Sequence, residues 1–215
     1  MLPFFIRLCA KKVFFTGSPV FLAFILIFLS GCAAPGPKYL NLSYSTAHPV
    51  TDRQQTVGLS RFNDKRTGIT KGYVGYRQLL GGHREIYAVT GQDLSAAMTR
   101  VLRTFLEQKG FSVVLVPAFP ATPRGVSDMP GRFAHVFAAD INQFSSQAEK
   151  KAAATHMTLV IDLTFYQGSP DNRSITTIPI ALTLERTELV FSRKKLETFI
   201  NDAIEEIFAK AFPSL

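Results

Sequence analysis

An apolar run near the start of the chain ends at a single cysteine, and this feature constrains the rest of the protein most. Three bases, Arg7, Lys11 and Lys12, precede an uncharged stretch over residues 13–28, and small residues follow at positions 30–32. A basic start, an apolar stretch and a small-residue cleavage site are typical of an export signal. The apolar stretch is shorter than the roughly 20 residues that span a membrane comfortably. We predict a signal peptide over residues 1–31; a retained membrane anchor is the alternative.

The tetrapeptide at positions 29–32, Leu-Ser-Gly-Cys, resembles the lipobox of bacterial lipoproteins. The resemblance implies cleavage between Gly31 and Cys32, a diacylglycerol on the Cys32 thiol, and acylation of the new amine. An ordinary secretory signal that happens to contain a cysteine is the alternative. Two or more acyl chains hold a protein firmly at a bilayer, whereas one holds it only marginally. We expect the membrane to be a partner through acyl chains on Cys32.

The residues after the cysteine bear on which membrane carries the anchor. Resemblance to the sorting pattern of such lipoproteins implies that an Asp directly after the cysteine favours the inner membrane, and here Ala33 and Ala34 follow. We therefore predict the outer membrane, with the domain on its periplasmic face. A bacterium with a single membrane and the domain on its outside remains open.

The mature chain divides into a short tether and one domain. Residues 32–38 contain Pro35, Gly36 and Pro37, a stiff spacer, and residues 39–215 have the length of a single periplasmic domain. Without the signal the chain has 21 Lys and Arg against 16 Asp and Glu, a net charge of +5. Because these bases are scattered apart from residues 193–195, no nucleic-acid partner is expected. Cys9 leaves with the signal and Cys32 takes lipid, so no disulfide can form.

Hydrophobic patterns predict a mainly β chain with two helices. We predict β structure at 39–44, a half-buried strand at 56–62, a central strand at 111–116, and three strands at 134–144, 157–166 and 175–191. Four prolines make 117–132 a connection without regular structure. Amphipathic helices are predicted at 90–109, capped by Thr90 with Asp93, and from the Ser192 cap to about residue 212. The fold class is α+β: a two-layer domain, an antiparallel or mixed sheet with both helices packed on one face.

Two stretches supply the candidate partner surface. Asp64 and Arg66 follow the strand at 56–62, where they could contact a charged partner or simply pair with each other in a turn. The glycine-rich stretch at 67–89 predicts a hairpin or a long excursion. Aromatic and basic residues of such loops often contact partners, although a solvated hairpin without a partner explains them equally well. The candidates in this stretch are Tyr73, Tyr76, Arg77, His83 and Arg84.

Motifs for metal, cofactor or catalytic chemistry are missing from the sequence. The four histidines, His48, His83, His135 and His156, lie far apart and outside any metal-binding spacing. The glycines do not form a nucleotide-binding fingerprint, and no nucleophile elbow or P-loop occurs. We therefore expect no metal, no cofactor and no enzymatic activity.

The mature chain resembles the YajG-type family of small bacterial lipoproteins. The resemblance runs through Cys32, the strand at 57–62 followed by Asp64 and Arg66, the helix before Gly110, and the C-terminal helix. It implies an outer-membrane lipoprotein without assigned catalysis. The favoured function is a lipid-anchored, non-enzymatic envelope accessory protein that binds an envelope protein or peptidoglycan. The alternatives are an auxiliary lipoprotein of a lipid or ABC-type transport complex and an envelope hydrolase.

Overall fold

A computed structural model describes residues 36–45, 55–91, 93–129, 132–151, 153–213 and 215. The signal peptide, Gly31 and Cys32 lie outside these residues, so the predictions made for them stay predictions. The described chain is a mixed α+β structure, mostly strands, with a short helix besides the two predicted ones. Its strands are β1 Lys38–Leu40, β2 Thr56–Ser60, β3 Asn63–Asp64, β4 Tyr73–Gln78, β5 Arg84–Val89, β6 Ser112–Val116, β7 His135–Lys151, β8 Ala154–Ser169 and β9 Ser174–Glu188. Its helices are α1 Leu94–Gln108, α2 Pro123–Ser127 and α3 Arg193–Ala211.

The long strand β7 organises the sheet. Along one edge β7 pairs antiparallel with β8 from Val136 to Lys151, and β9 pairs antiparallel with β8 beyond it. Along the other edge three short strands, β2, β3 and β4, pair in turn with β7, all of them parallel to it. Strand β6 lies outside β2, and β5 and β1 lie outside β4. The sheet is therefore mixed, one of the two predicted alternatives.

Helices α1 and α3 cover one face of the sheet, which we call the core face. Helix α1 contacts β2, β3 and β6, and α3 contacts β8 and β9. Aromatic rings join the helices to the sheet: the Phe105 ring of α1 lies 5.3 Å from Phe208 of α3, and Phe137 of β7 lies 5.5 Å from Phe212. Burial of such rings is a main source of stability in a chain without disulfides. Both predicted amphipathic helices are confirmed, and so is their packing on one face.

Residues 41–45 lie between the two helices rather than in a longer first strand. Leu42 and Tyr44 are buried, and the Tyr44 ring lies 5.2 Å from that of Phe105. The alternate backbone N–H groups donate to side chains of α3, namely Asn41 to Glu197 at 2.8 Å, Ser43 to Asn201 at 3.2 Å and Ser45 to Glu205 at 3.0 Å. These acceptors stand four residues apart on one side of the helix. An extended chain is thus satisfied by a helix, and the prediction of β structure holds only for β1.

The opposite face, which we call the outer face, carries a second, smaller core at one end. Val126, Phe133 and Val136 form it, with Phe119 and Val116 packed around them. The proline-rich segment covers this part of the sheet, so the domain has a third layer there and the two-layer prediction is incomplete. The prediction of no regular structure in this segment is also wrong, because Pro123 begins α2. Proline is tolerated there, since the N–H of the first helical residue has no acceptor within the helix.

Three further predictions need correction. Strand β6 lies at an edge of the sheet instead of its centre. Strand β2 is buried on both faces, since the second core covers Gly58 while α1 covers Leu59. The cap of α1 is Asp93, which accepts from the Ala96 N–H at 2.8 Å, whereas the Thr90 hydroxyl donates to the Leu40 carbonyl.

Candidate functional site

A crevice opens on the outer face between the β2–β3 connection and the proline-rich segment. Its volume is about 560 Å³, which lies within the range of small-ligand sites. One wall carries Phe119 with Ala118 and Ala121, and the other carries the polar side chains of Asn63, Lys65, Asp140 and Tyr166. A hydrocarbon wall opposite a polar wall suits a ligand with both characters.

Asp140 is the centre of the polar wall. Its carboxylate accepts from Asn63 Nδ2 at 3.0 Å and from the Tyr166 hydroxyl at 2.8 Å, and Lys65 Nζ lies 2.7 Å from Oδ2. Burial acts to raise the pKa of Asp140, but the hydrogen bonds from Lys65, Tyr166 and Asn63 outweigh it and hold the pKa below its ordinary value. Asp140 is therefore an anion that orients three donors around it.

Lys65 is the most exposed charge of this group, since its side chain is about half exposed. The hydrogen bond to Asp140 raises the pKa of Lys65, so the ammonium stays protonated. The hydrogen bond that Tyr166 donates to Asp140 likewise raises the pKa of the Tyr166 hydroxyl. The Lys65 ammonium and the Asn63 amide keep further N–H groups that can donate to carbonyl, hydroxyl or carboxylate groups of a partner, and the Tyr166 oxygen can still accept a hydrogen bond.

The predicted pair Asp64 and Arg66 is structural and lies beside this wall. Arg66 donates from Nε and Nη2 to the two Asp64 oxygens, both at 2.8 Å, and from Nη1 to the carbonyls of Tyr73 and Phe144. Phe144 stands where neither β3 nor β4 pairs with β7, so Arg66 fills this gap in the ladder. The Arg66 side chain is only 3% exposed, which confirms the turn pair and removes Arg66 from the candidate partner surface. Hydrogen bonds from Arg66 lower the pKa of Asp64.

The predicted hairpin is confirmed as β4 and β5, but its candidate residues do not form one surface. The Arg84 guanidinium lies 4.5 Å over the Tyr76 ring, whereas Arg77 lies over Phe191, towards the helices. Tyr73 stands at the other end of β4 and its carbonyl binds Arg66. His83 is exposed in the turn at 79–83, apart from the crevice. The sequence therefore located the hairpin without showing that the strand separates these side chains onto two faces.

A second groove lies between α1 and the edge strand β6. Its volume is about 390 Å³, and it combines an apolar floor at Leu115 and Val116 with Arg61, Arg100 and Arg103. Arg103 pairs with Glu107 at 2.7 Å, and Arg61 pairs with the capping residue Asp93. The Leu115 side chain is 58% exposed at this edge of the sheet. Three guanidinium groups around apolar carbon suit an anion with a hydrocarbon part.

The polar wall of the crevice was missed at the level of sequence. Asn63, Lys65, Asp140 and Tyr166 come from β3, its following turn, β7 and β8, so only the fold brings them together. One signal was available, because Asp140 interrupts the otherwise apolar residues 136–141, where an unpaired charge would be costly.

No group of three or more His, Cys, Asp and Glu side chains in the part of the chain that the structure describes could hold a metal ion. None of the helices in those residues has both the length and the apolar character needed to cross a membrane.

Comparisons with known proteins yield structural neighbours only. No protein-family model matches the sequence, and no curated protein sequence matches it. A Xanthomonas campestris protein of family DUF330 has a TM-score of 0.47 and 11% identity, over 80% of this chain and 90% of its own. A Helicobacter pylori protein described as a homologue of a neuraminyllactose-binding hemagglutinin has a TM-score of 0.46 and 13% identity, over 83% and 92%.

Lipoprotein GNA1162 from Neisseria meningitidis is also similar, with a TM-score of 0.36 and 9% identity over 71% of this chain and 97% of its own. The neighbours thus include a DUF330 protein and a bacterial lipoprotein. All three TM-scores lie below 0.5, so no function passes from these proteins to this chain. Membership of the YajG-type family stays a prediction.

Proposed function

We propose that this chain is a lipid-anchored, non-enzymatic accessory protein of the bacterial envelope that binds an envelope partner in the crevice at Asp140. The observation that carries the proposal is the polar wall, in which Asp140 holds Asn63, Lys65 and Tyr166 towards an open crevice. Groups that are fixed before binding lose little entropy when a partner arrives, which favours recognition. The partner class is a protein segment or a peptidoglycan strand, both rich in carbonyl and hydroxyl groups.

The position of the crevice supports an anchored binding protein. Strand β1 begins at Lys38, six residues after the proposed lipid site at Cys32, so the domain is held within roughly 20 Å of the bilayer at about 3.5 Å per residue. Through the ladder partners Tyr87 and Gly75, Lys38 lies level with Ser146 of β7. Asp140 stands six residues before Ser146 on β7, roughly 20 Å away along the strand. The crevice is therefore displaced from the end at which β1 begins, on the side from which a periplasmic partner would approach.

In-cell photocrosslinking tests the proposal. A photoreactive amino acid replaces Phe119 in the full chain, and the same residue at Asn172, on the β8–β9 turn, is the matched control. We expect a discrete adduct at position 119 that disappears in Asp140→Asn and weakens in Cys32→Ala. Sedimentation with purified peptidoglycan, with the same variants, distinguishes a glycan from a protein partner. Equal adduct patterns at 119 and 172, with no binding to peptidoglycan, would contradict the proposal.

The groove between α1 and β6 favours a second candidate, an auxiliary lipoprotein of a lipid-transport complex. An apolar floor with three arginines matches an anionic lipid whose acyl chain is partly exposed. We expect the purified full chain to bind fluorescent lysophosphatidylglycerol, and Leu115→Glu to weaken that binding. Ile69→Glu, which changes another exposed apolar side chain, is the control. Binding that is the same in both variants would remove this candidate.

A further inference from the structure

Three turns protrude together from one end of the sheet, which we call the tether end. A row of ladder partners crosses five strands there, running through Arg84, Gln78, Glu149, His156 and Thr187. Beyond this row lie the β4–β5 turn at 79–83, the β7–β8 connection with residue 153 and the β9–α3 connection at 189–192. We define the tether end as residues 36–38, 77–85, 149–151, 153–156 and 187–197.

The tips of these turns carry the apolar side chains that the structure leaves most exposed. Among the large apolar residues of the described chain, Leu189 at 80%, Leu80 at 74% and Val190 at 71% exposure rank highest. All three belong to the tether end. Leu80 and Leu189 follow strands three positions apart in the sheet, so they stand roughly 14 Å from each other. Single apolar side chains that project from turns at one end of a molecule can enter the interfacial region of a membrane.

The same end carries most of the net positive charge of the mature chain. Its ranges contain eight bases and four acids, a net charge of +4 out of +5 for residues 32–215. The acids are Glu85, Glu149, Glu188 and Glu197, and each has a basic partner within the tether end. The bases are Lys38, Arg77, Arg84, Lys150, Lys151, Arg193, Lys194 and Lys195.

The chain enters the domain from this end. Strand β1 runs parallel to β5, with Lys38 beside Tyr87 and Leu40 beside Val89. Since β5 runs away from the β4–β5 turn, β1 also runs away from the tether end. Lys38 pairs with Glu85 at 2.5 Å, one residue from Arg84. Gly36 and Pro37, which directly precede β1, therefore lie at the end that bears the apolar tips and the cations.

We propose that the tether end docks on the anionic phospholipid surface of the membrane that carries the anchor. Leu80, Leu189 and Val190 enter the headgroup region, and the lysines around them contact lipid phosphates. Lysines beside an anionic leaflet attract it strongly, and their hydrocarbon stems lie easily against apolar surface. This proposal rests on the proposed function, because it requires lipid on Cys32.

A bilayer suits this surface better than a protein partner does. The exposed apolar side chains stand on separate turns, and Lys150 and Lys151 of β7 lie on the strand between β4 and β8. The apolar side chains are therefore separated by cations and do not form one continuous apolar face. Protein interfaces have an apolar centre that is depleted of lysine. A lipid surface, in contrast, takes up single apolar side chains and accepts cations between them.

A fluorescent probe at a single cysteine tests the docking in the full lipidated chain. The probe is attached at His83→Cys in the β4–β5 turn, and at Asn172→Cys at the opposite end as the control. Because Cys32 is the only cysteine of the mature chain, each variant takes one label. The protein is reconstituted into vesicles of phosphatidylethanolamine and phosphatidylglycerol that contain a lipid-bound quencher. We expect quenching at position 83 to be at least about fivefold stronger than at 172, since lipid quenchers act only near the bilayer.

Three double variants, one of them a control, separate the electrostatic from the apolar contribution to docking, and circular dichroism checks that each folds. Lys150→Glu with Lys194→Glu should lower the ratio of docked to undocked protein by about 20-fold or more, since each lysine contributes roughly fivefold near an anionic surface. Arg124→Glu with Arg132→Glu, the same charge change outside the tether end, should leave quenching unchanged. Leu189→Ser with Val190→Ser should also lower the ratio of docked to undocked protein, because it removes two apolar side chains from the docking surface.

The outcomes separate this proposal from the one on which it rests. A mature mass without acyl chains would contradict the lipid anchor, whatever the probe reports. With the acyl chains present, equal quenching at 83 and 172 would overturn the docking, and so would capture of a protein at the tether end in place of lipid. Unchanged quenching in the lysine variant would overturn the assignment to anionic lipid.

Discussion

The backbone hydrogen bonds of β7 are satisfied differently along its two edges. On one edge β8 satisfies the backbone of β7 with a single antiparallel ladder from residue 136 to 151, interrupted only by a shift near Asn142. On the other edge three short parallel strands cover residues 135–137, 140–141 and 146–149. We call these the continuous edge and the interrupted edge.

The difference explains why the crevice lies along one edge of β7 and not along the other. The continuous edge needs only backbone groups, whereas the interrupted edge depends on side chains to satisfy the carbonyls between its strands. Arg66 does so at Phe144, with Asp64 to balance its charge. The side chains of Asn63, in β3, and of Lys65, directly after it, then extend to Asp140 in the crevice. Side-chain substitutions should therefore affect the interrupted edge far more.

Gly75→Ala should have the largest effect. Strand β4 approaches β7 so closely that a Cβ at position 75 would lie 1.9 Å from the Ser146 carbonyl oxygen, with φ at 153°. We expect a loss of more than about 4 kcal/mol in the free energy of unfolding, or failure to fold. Urea denaturation measures it. Gly81→Ala, which has a positive φ but open space, should cost only about 1–2 kcal/mol, and equal losses would show that backbone conformation, not the close approach, matters.

Arg66→Met should come next. It leaves Asp64 without its cation and the Phe144 and Tyr73 carbonyls without a donor, in surroundings where the Arg66 side chain is nearly buried. Breaking a buried pair in this way costs about 3–5 kcal/mol. Thr158→Ala on β8, on the continuous edge, should cost under about 1 kcal/mol. Comparable losses in urea denaturation would remove the distinction between the two edges.

How far the sequence could predict this molecule follows the same division. Local patterns were sufficient for the helices, the β4–β5 hairpin and the Asp64–Arg66 turn, because each depends on residues close in sequence. The place of residues 111–116 could not be predicted, since an apolar run fits a central strand or an edge covered on one face. The crevice depends on pairing of β3 with β7, a contact 77 residues apart, and no periodicity reports such a contact.

Acid should open the interrupted edge before the continuous one. The folded pKa of Asp64 is lowered by hydrogen bonds from Arg66, and that of Asp140 is lowered by its donors despite burial. Their stabilisation is therefore complete above the unfolded value near 3.8 and disappears as the pH falls through the folded pKa values. Hydrogen exchange, corrected for intrinsic rates, should show the Lys65 amide, which donates to Ile141, losing protection below about pH 4 before the β8 amides do. Simultaneous loss at both edges would mean that acid unfolds the domain as a whole.

The smallest effect is expected for Tyr166→Phe, which removes one donor to Asp140 and keeps the ring. Lys65 and Asn63 still hold the carboxylate, so the free energy of unfolding should fall by only about 1 kcal/mol. The pKa of Asp140 should rise, because the lost hydrogen bond favoured the ionised form, and a carboxyl-carbon NMR titration measures this shift. Tyr76→Phe, at a ring stacked under Arg84 and away from Asp140, should leave the pKa unchanged. If Tyr166→Phe also leaves it unchanged, the hydroxyl does not help to hold Asp140 ionised, and the crevice wall is organised by Lys65 and Asn63 alone.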